Sequence, residues 1–143
     1  MMQRLLTGEM EFCHPREILA GISAADACRR IDGLPYSIAG LLAHMQWWQE
    51  RRLHLALGGA WTPFELQVDD WPAVSEGEWD RLCGDFLATL DHMAELTVDS
   101  VRMAEIIFED RTVGEMLVSH ATHNAYHLGQ IVLFRRQMNK WGG

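Results

Sequence analysis

Hydrophobic periodicity divides the chain into helical stretches joined by irregular ones. The clearest runs over residues 112–140, without Pro, and Gly142-Gly143 lies just past its end. Thr112 is a good N-cap, and Glu115 three residues on completes a capping box. Glu115 in the first turn and Arg135, Arg136 and Lys140 towards the end suit the helix dipole. A second helix is predicted from Ser37 as cap, with Ile38, Leu41, Leu42, Met45, Trp48 and Leu55 at helical spacing and Gly58-Gly59 as its stop. His44 lies beside that stripe. A third opens on the capping box Ser75/Glu78, shows Trp79, Leu82, Cys83, Phe86, Leu90 and Met93 to the core, and fades near Leu96; His92 falls off this face.

Residues 1–31 read as shorter helical pieces. Pro15 suits a first helical turn, Gly21 a helix end, and Ser23 the cap of a short helix through Arg30. Residues 32–35 form a turn. Residues 60–74 hold two Pro and two Trp and read as an irregular crossover, a lid or a substrate wall. Residues 101–111 read as a connection, extended at Ile106–Phe108. Four amphipathic helical elements predict an all-α fold, a four-helix bundle spanning 1–143 as one domain, with a long crossover between the second and third long elements.

Composition narrows the function. Of 143 residues, 48% are hydrophobic, which fits a folded core, and the net charge of −8 argues against a nucleic-acid partner. No apolar run approaches the roughly 18 residues of a membrane span, and the first residues lack a secretory h-region. Three widely spaced cysteines without CxxC read as reduced thiols. A soluble cytoplasmic protein acting on small molecules is expected.

The last helix carries the chemistry. Met116, His120, His123, His127, Gln130 and Phe134 recur at three and four, and imidazoles stand where a core helix normally has Leu or Val. His123 and His127 are i and i+4, so their rings leave one face about 6 Å apart, close enough to share one metal. Such a pair also arises without any metal, as buried imidazoles satisfied by hydrogen bonds. A third ligand must come from a facing helix, and His44 is the best placed. His54, ten residues on, is about 15 Å further along that helix and cannot share a metal with His44. His120 is a supporting group or an alternative ligand; nothing in the sequence assigns His14. HExxH is absent, and the lone Glu11/His14 pair runs into Pro15.

SIAGLLAHMQWW (37–48), followed downstream by HNAYHLGQIVLFRR (123–136), resembles the DinB-like superfamily of damage-inducible-type proteins, and GLPYS (33–37) strengthens the likeness. The resemblance covers about residues 33–141. It implies a four-helix bundle, commonly a homodimer, with a divalent metal held by three His that match His44, His123 and His127. Characterised relatives include thiol-dependent S-transferases using mycothiol or bacillithiol, maleylpyruvate isomerase, and metal hydrolases; many members have no known activity. Where one branch often has Asp before the first His of the pair, this chain has Thr122, so no carboxylate stands at that place.

The leading reading is a metal-dependent enzyme on a small molecule, a thiol-dependent S-transferase whose metal activates the thiol. No Asp or Glu neighbours the His pair on its face, although Asp69 or Asp70 of the crossover could fold over. Gln130 and Tyr126 are the catalytic candidates, as polar but weak bases. A metal deprotonates a coordinated thiol without a protein base, which favours the thiol. Imidazoles suit zinc, nickel, copper or iron, and zinc or nickel is expected. Arg51 could receive an anionic group or be a solvated charge. The alternatives are a hydrolase that activates water on the metal, and a non-catalytic metal-binding bundle. For the homodimer, Val113, Leu117, Ala121, Leu128 and Val132 offer an outward apolar stripe.

Overall fold

The computed structural model describes residues 1–9 and 11–142. Three short helices come first: α1 (Met2–Thr7), α2 (Pro15–Leu19) and α3 (Ala24–Cys28). Pro15 opens α2, and Ser23 caps α3 by accepting from the Asp26 N–H at 3.1 Å. The long helix α4 (Ile38–Ala56) follows, then α5 (Trp79–Leu96), α6 (Ser100–Met103), the hairpin β1 (Ile106–Phe108) and β2 (Arg111–Thr112), and α7 (Val113–Gln137). The hairpin realises the extended segment expected at 106–108, and Asp99 caps α6, which the sequence reading passed over. Among the described residues, no helix is long and apolar enough to cross a membrane.

The fold is an all-α four-helix bundle. α4 packs against α5 and α7, and α1 closes the ring against the same two helices. The fourth bundle element is thus the six-residue α1, with α2 and α3 packed alongside. Having α4 and α1 as neighbours, α7 needs two buried seams. Val113, Leu117 and Leu128, expected on an outward stripe, are 0%, 0% and 2% exposed and belong to the bundle's own core. Ala121 and Val132 are half-buried. A one-stripe reading had room only for the His seam.

The capping signals act as written. Ser37 accepts from the Gly40 N–H at 3.0 Å, and Ser75 donates and accepts within its box with Glu78. At α7, Thr112 Oγ1 accepts from the Glu115 N–H at 3.2 Å while the Thr112 N–H donates to Glu115 Oε2 at 2.9 Å. Thr112→Ala removes one partner of this box and is expected to lower stability by about 1 kcal/mol, read as a lower denaturant midpoint with unchanged m. The end of α7 comes earlier than Gly142-Gly143 suggested, and Gly143 is outside the described residues. Asn139 adopts φ 56°, and Lys140 N–H reaches back to the Arg135 carbonyl at 2.8 Å, a left-handed stop with Asn in glycine's place.

Between α4 and α5 the crossover is irregular but tied down. Gln67 holds φ 65°, unfavourable for a side chain with a Cβ, and its N–H donates to Asp70 Oδ1 at 2.5 Å. The other oxygen of Asp70 accepts from Trp48 Nε1 at 3.3 Å. With Asp70 only 2% exposed, this carboxylate fastens the crossover to α4 at the level of His44.

Candidate metal centre

α4 delivers His44 among fully buried neighbours, Leu41, Leu42 and Met45. Its ring is stacked on Trp71 at 4.0 Å and 14°, and Trp71 in turn on Tyr36 at 4.2 Å and 12°. The crossover is therefore a wall of the site through Trp71. Its other Trp, Trp61, packs on Phe64 and Phe108 instead. The His44 Nδ1–H donates to the Asp70 backbone carbonyl at 2.6 Å, which fixes the tautomer and leaves Nε2 with a lone pair. Asp70 itself is bound to Trp48 and Gln67 and supports this ring rather than standing over the common point as a base.

α7 delivers the other two. The His123 and His127 rings lie 4.6 Å apart, as i,i+4 spacing requires. The His127 Nδ1–H donates to Gln130 Oε1 at 2.7 Å, so its Nε2 is also left as an acceptor. His44 Nε2 and His123 Nε2 are 3.2 Å apart, and one nitrogen from each of the three rings falls within 4.8 Å of the others. Two nitrogens bound to one tetrahedral metal at about 2.0–2.1 Å would stand roughly 3.3 Å apart.

Three observations make this set compatible with a divalent metal ion. Two rings have their outer nitrogens engaged by acceptors, the usual way a metal-binding imidazole is oriented. The buried His123 Nδ1 has no hydrogen-bond partner among the described residues, so either tautomer of His123 leaves a polar atom unmet there. The rings are also held neutral, the form that ligates. Burial, then the Arg52 guanidinium and the His127 and His44 imidazoles, pushes His123 down to about 3. Burial lowers His127 against the raising effect of Gln130, and lowers His44 against that of the Asp70 carbonyl.

The remaining sequence candidates fall elsewhere. His120 is fully buried with both nitrogens engaged: Arg52 Nη1 donates to its Nδ1 at 2.8 Å, and its Nε2–H donates to Gln49 Oε1 at 2.9 Å. It is no ligand. Arg51 is enclosed by Trp47, Trp61 and Phe64 and donates to the Thr62 carbonyl, so it pins the crossover. His14 caps α2 by accepting from the Arg16 N–H at 3.0 Å, and His92 is exposed. Tyr126 is 66% exposed, with its ring 5.0 Å from that of His127. Burial, then Asp80, pushes the Cys83 thiol up to about 12, which leaves it unreactive at neutral pH.

A buried polar cluster behind the centre was missed. Gln49 accepts from His120 and from Asn124 Nδ2, and its amide donates to the Phe86 carbonyl of α5 at 2.7 Å, joining three helices. The signal was present: Gln49 stands where the apolar period Ile38, Leu42, Met45 asks for a further apolar residue.

A helical bundle in which two helices present three neutral imidazoles to one point is the class that fold and site define. The chain belongs to the DinB superfamily, whose family model matches residues 16–131 and so includes all three His. No curated protein and no solved structure matches it.

Proposed function

We propose that this chain is a divalent-metal-dependent enzyme acting on a small molecule, with His44, His123 and His127 as ligands and an external low-molecular-weight thiol as nucleophile. The observation that carries the reading is the donor set: three neutral imidazoles with, among the described residues, no carboxylate free to act as a base at their common point. A zinc or nickel ion held there would supply Lewis acidity, and with it deprotonation of a coordinating thiol at neutral pH. The chain's own residues do the rest. Gln130 and the Asp70 carbonyl keep the protons of His127 and His44 on the outer nitrogens, Trp71 shields one side from water, and Tyr126, exposed beside His127, orients substrate at the rim. The reading extends to one bundle domain over the whole chain, working as a homodimer in the cytoplasm.

The test is dependence on the thiol. Protein purified without a His-tag and assayed with electrophilic substrates is expected to lose its turnover when the thiol is omitted, by more than about 100-fold. Undiminished cleavage of an ester or amide without thiol would replace this reading with a hydrolase that activates water. Absence of turnover with tightly held metal would leave a non-catalytic metal-binding bundle.

A further inference from the structure

Arg52 carries a positive charge partly into the bundle. Among the described residues no ion pair involves it. Its guanidinium donates from Nη1 to His120 and lies 5.0 Å from the centre of the Trp48 ring. Burial pushes its pKa down to about 10, which leaves it charged at neutral pH. A half-buried charge without a carboxylate partner still loses part of its hydration, and a neutral donor such as Gln would serve His120 as well.

The position of this charge gives it a use. His44, Trp48 and Arg52 follow one another at i+4 along α4 and share a face. The His120 and His123 rings stack at 6.4 Å, and Trp48 is also 6.4 Å from His123, so Arg52 borders the centre through both neighbours. Trp48, Arg52 and His123 each keep part of their surface open to solvent, and the guanidinium N–H groups not bound to His120 have no protein acceptor among the described residues. His120 is itself fixed by Gln49 and Asn124, so the guanidinium is held on a rigid support. One Nη is taken, and the edge that remains matches the two oxygens of a carboxylate.

We propose that Arg52 is the anion anchor of the centre, binding a carboxylate of the substrate or thiol co-substrate whose reacting group lies at the point shared by His44, His123 and His127. The proposal rests on the metal-and-thiol reading, and it assigns to Arg52 the role that its neighbour Arg51 is too enclosed to fill. It names the substrate class: small molecules that carry a carboxylate a few bonds from the reacting atom.

The experiment compares 3-mercaptopropionate with neutral 3-mercapto-1-propanol on cobalt-loaded protein, read by the sulfur-to-cobalt charge-transfer band. The wild type is expected to bind the carboxylate thiol at least about tenfold tighter. Arg52→Gln is expected to erase that preference, with cobalt content and mercaptopropanol affinity unchanged. Equal affinities in the wild type, or a preference that survives Arg52→Gln, would overturn the anchor. Arg52→Lys keeps the charge without the planar fork and covers the case in which the Gln variant does not fold; binding of mercaptopropionate as tight as in the wild type would again overturn it. A second arm separates the anchor from the metal reading. Glutarate added to metal-free protein is expected to shift the tryptophan fluorescence saturably in the wild type and not in Arg52→Gln. If no charge-transfer band forms with either thiol, the metal-and-thiol reading fails and this arm alone decides the anchor; no saturable shift in the wild type then overturns it.

Discussion

His127→Ala is expected to reduce bound metal from about one ion per chain to less than about a tenth, with the bundle still folded. The wild-type centre has three protein nitrogens, the usual minimum for a site with an open position, and two imidazoles hold a divalent ion far more weakly. The same variant is expected to lose the metal-dependent part of thermal stability. An ion that binds only the native state at about 1,000 times its Kd adds about 4 kcal/mol, so melting with and without chelator should differ in the wild type and coincide in His127→Ala. Gln130→Ala is the graded companion. Gln130 accepts the His127 Nδ1–H at 2.7 Å, so its loss frees the ring instead of deleting it. Metal affinity should fall by about 10- to 100-fold, with stoichiometry recovered at high metal. Gln130 would then act on the reaction mainly through the orientation of His127. Elemental analysis after gel filtration and competitive chelator titration read both variants. Full stoichiometry at wild-type affinity in His127→Ala would remove the ligand assignment.

What the sequence made legible is what local chemistry encodes. Thr112/Glu115, Ser75/Glu78 and Ser37 mark helix starts because a side-chain oxygen must meet orphan N–H groups within three residues. The i,i+4 pair His123/His127 was equally local. His44 was reachable because it lies beside an apolar stripe, and a side chain there faces the neighbouring helix. The rest depended on tertiary placement. The crossover has no period, so nothing in it announced that Trp71 would stack on His44 or that Asp70 would be buried beneath Trp48. Arg51 and Arg52 are adjacent in sequence, yet about 100° apart around a helix, enough to send one into the Trp61 cluster and the other to His120. The second buried seam of α7 depended on α1, a six-residue helix with too little sequence to advertise its packing.

Asp70→Ala is expected to loosen the metal by about 10- to 100-fold without touching a ligand. Two bonds go with the carboxylate, those from the Gln67 N–H at 2.5 Å and Trp48 Nε1 at 3.3 Å. The first offsets the cost of a left-handed Gln67 at φ 65°, so without it the turn over residues 65–71 relaxes towards other conformations. The Asp70 carbonyl moves with that turn, and it is the acceptor that holds the His44 Nδ1–H at 2.6 Å. The neighbouring Trp71 stack on His44 goes slack for the same reason. Two lost bonds to a buried charged acceptor also predict a loss of about 2–4 kcal/mol in stability, read from denaturant midpoints. Asp70→Asn keeps one acceptor oxygen but puts an amide N–H₂ against a donor, so it should fall between the wild type and Asp70→Ala on both measures. Asp69→Ala is the control. Asp69 is exposed and accepts from the Glu65 N–H at 2.8 Å, away from His44, so metal affinity should stay within about twofold. If Asp70→Ala also stayed within twofold in a chelator competition, the crossover would be a cover lying on the centre and not part of what holds His44 in place.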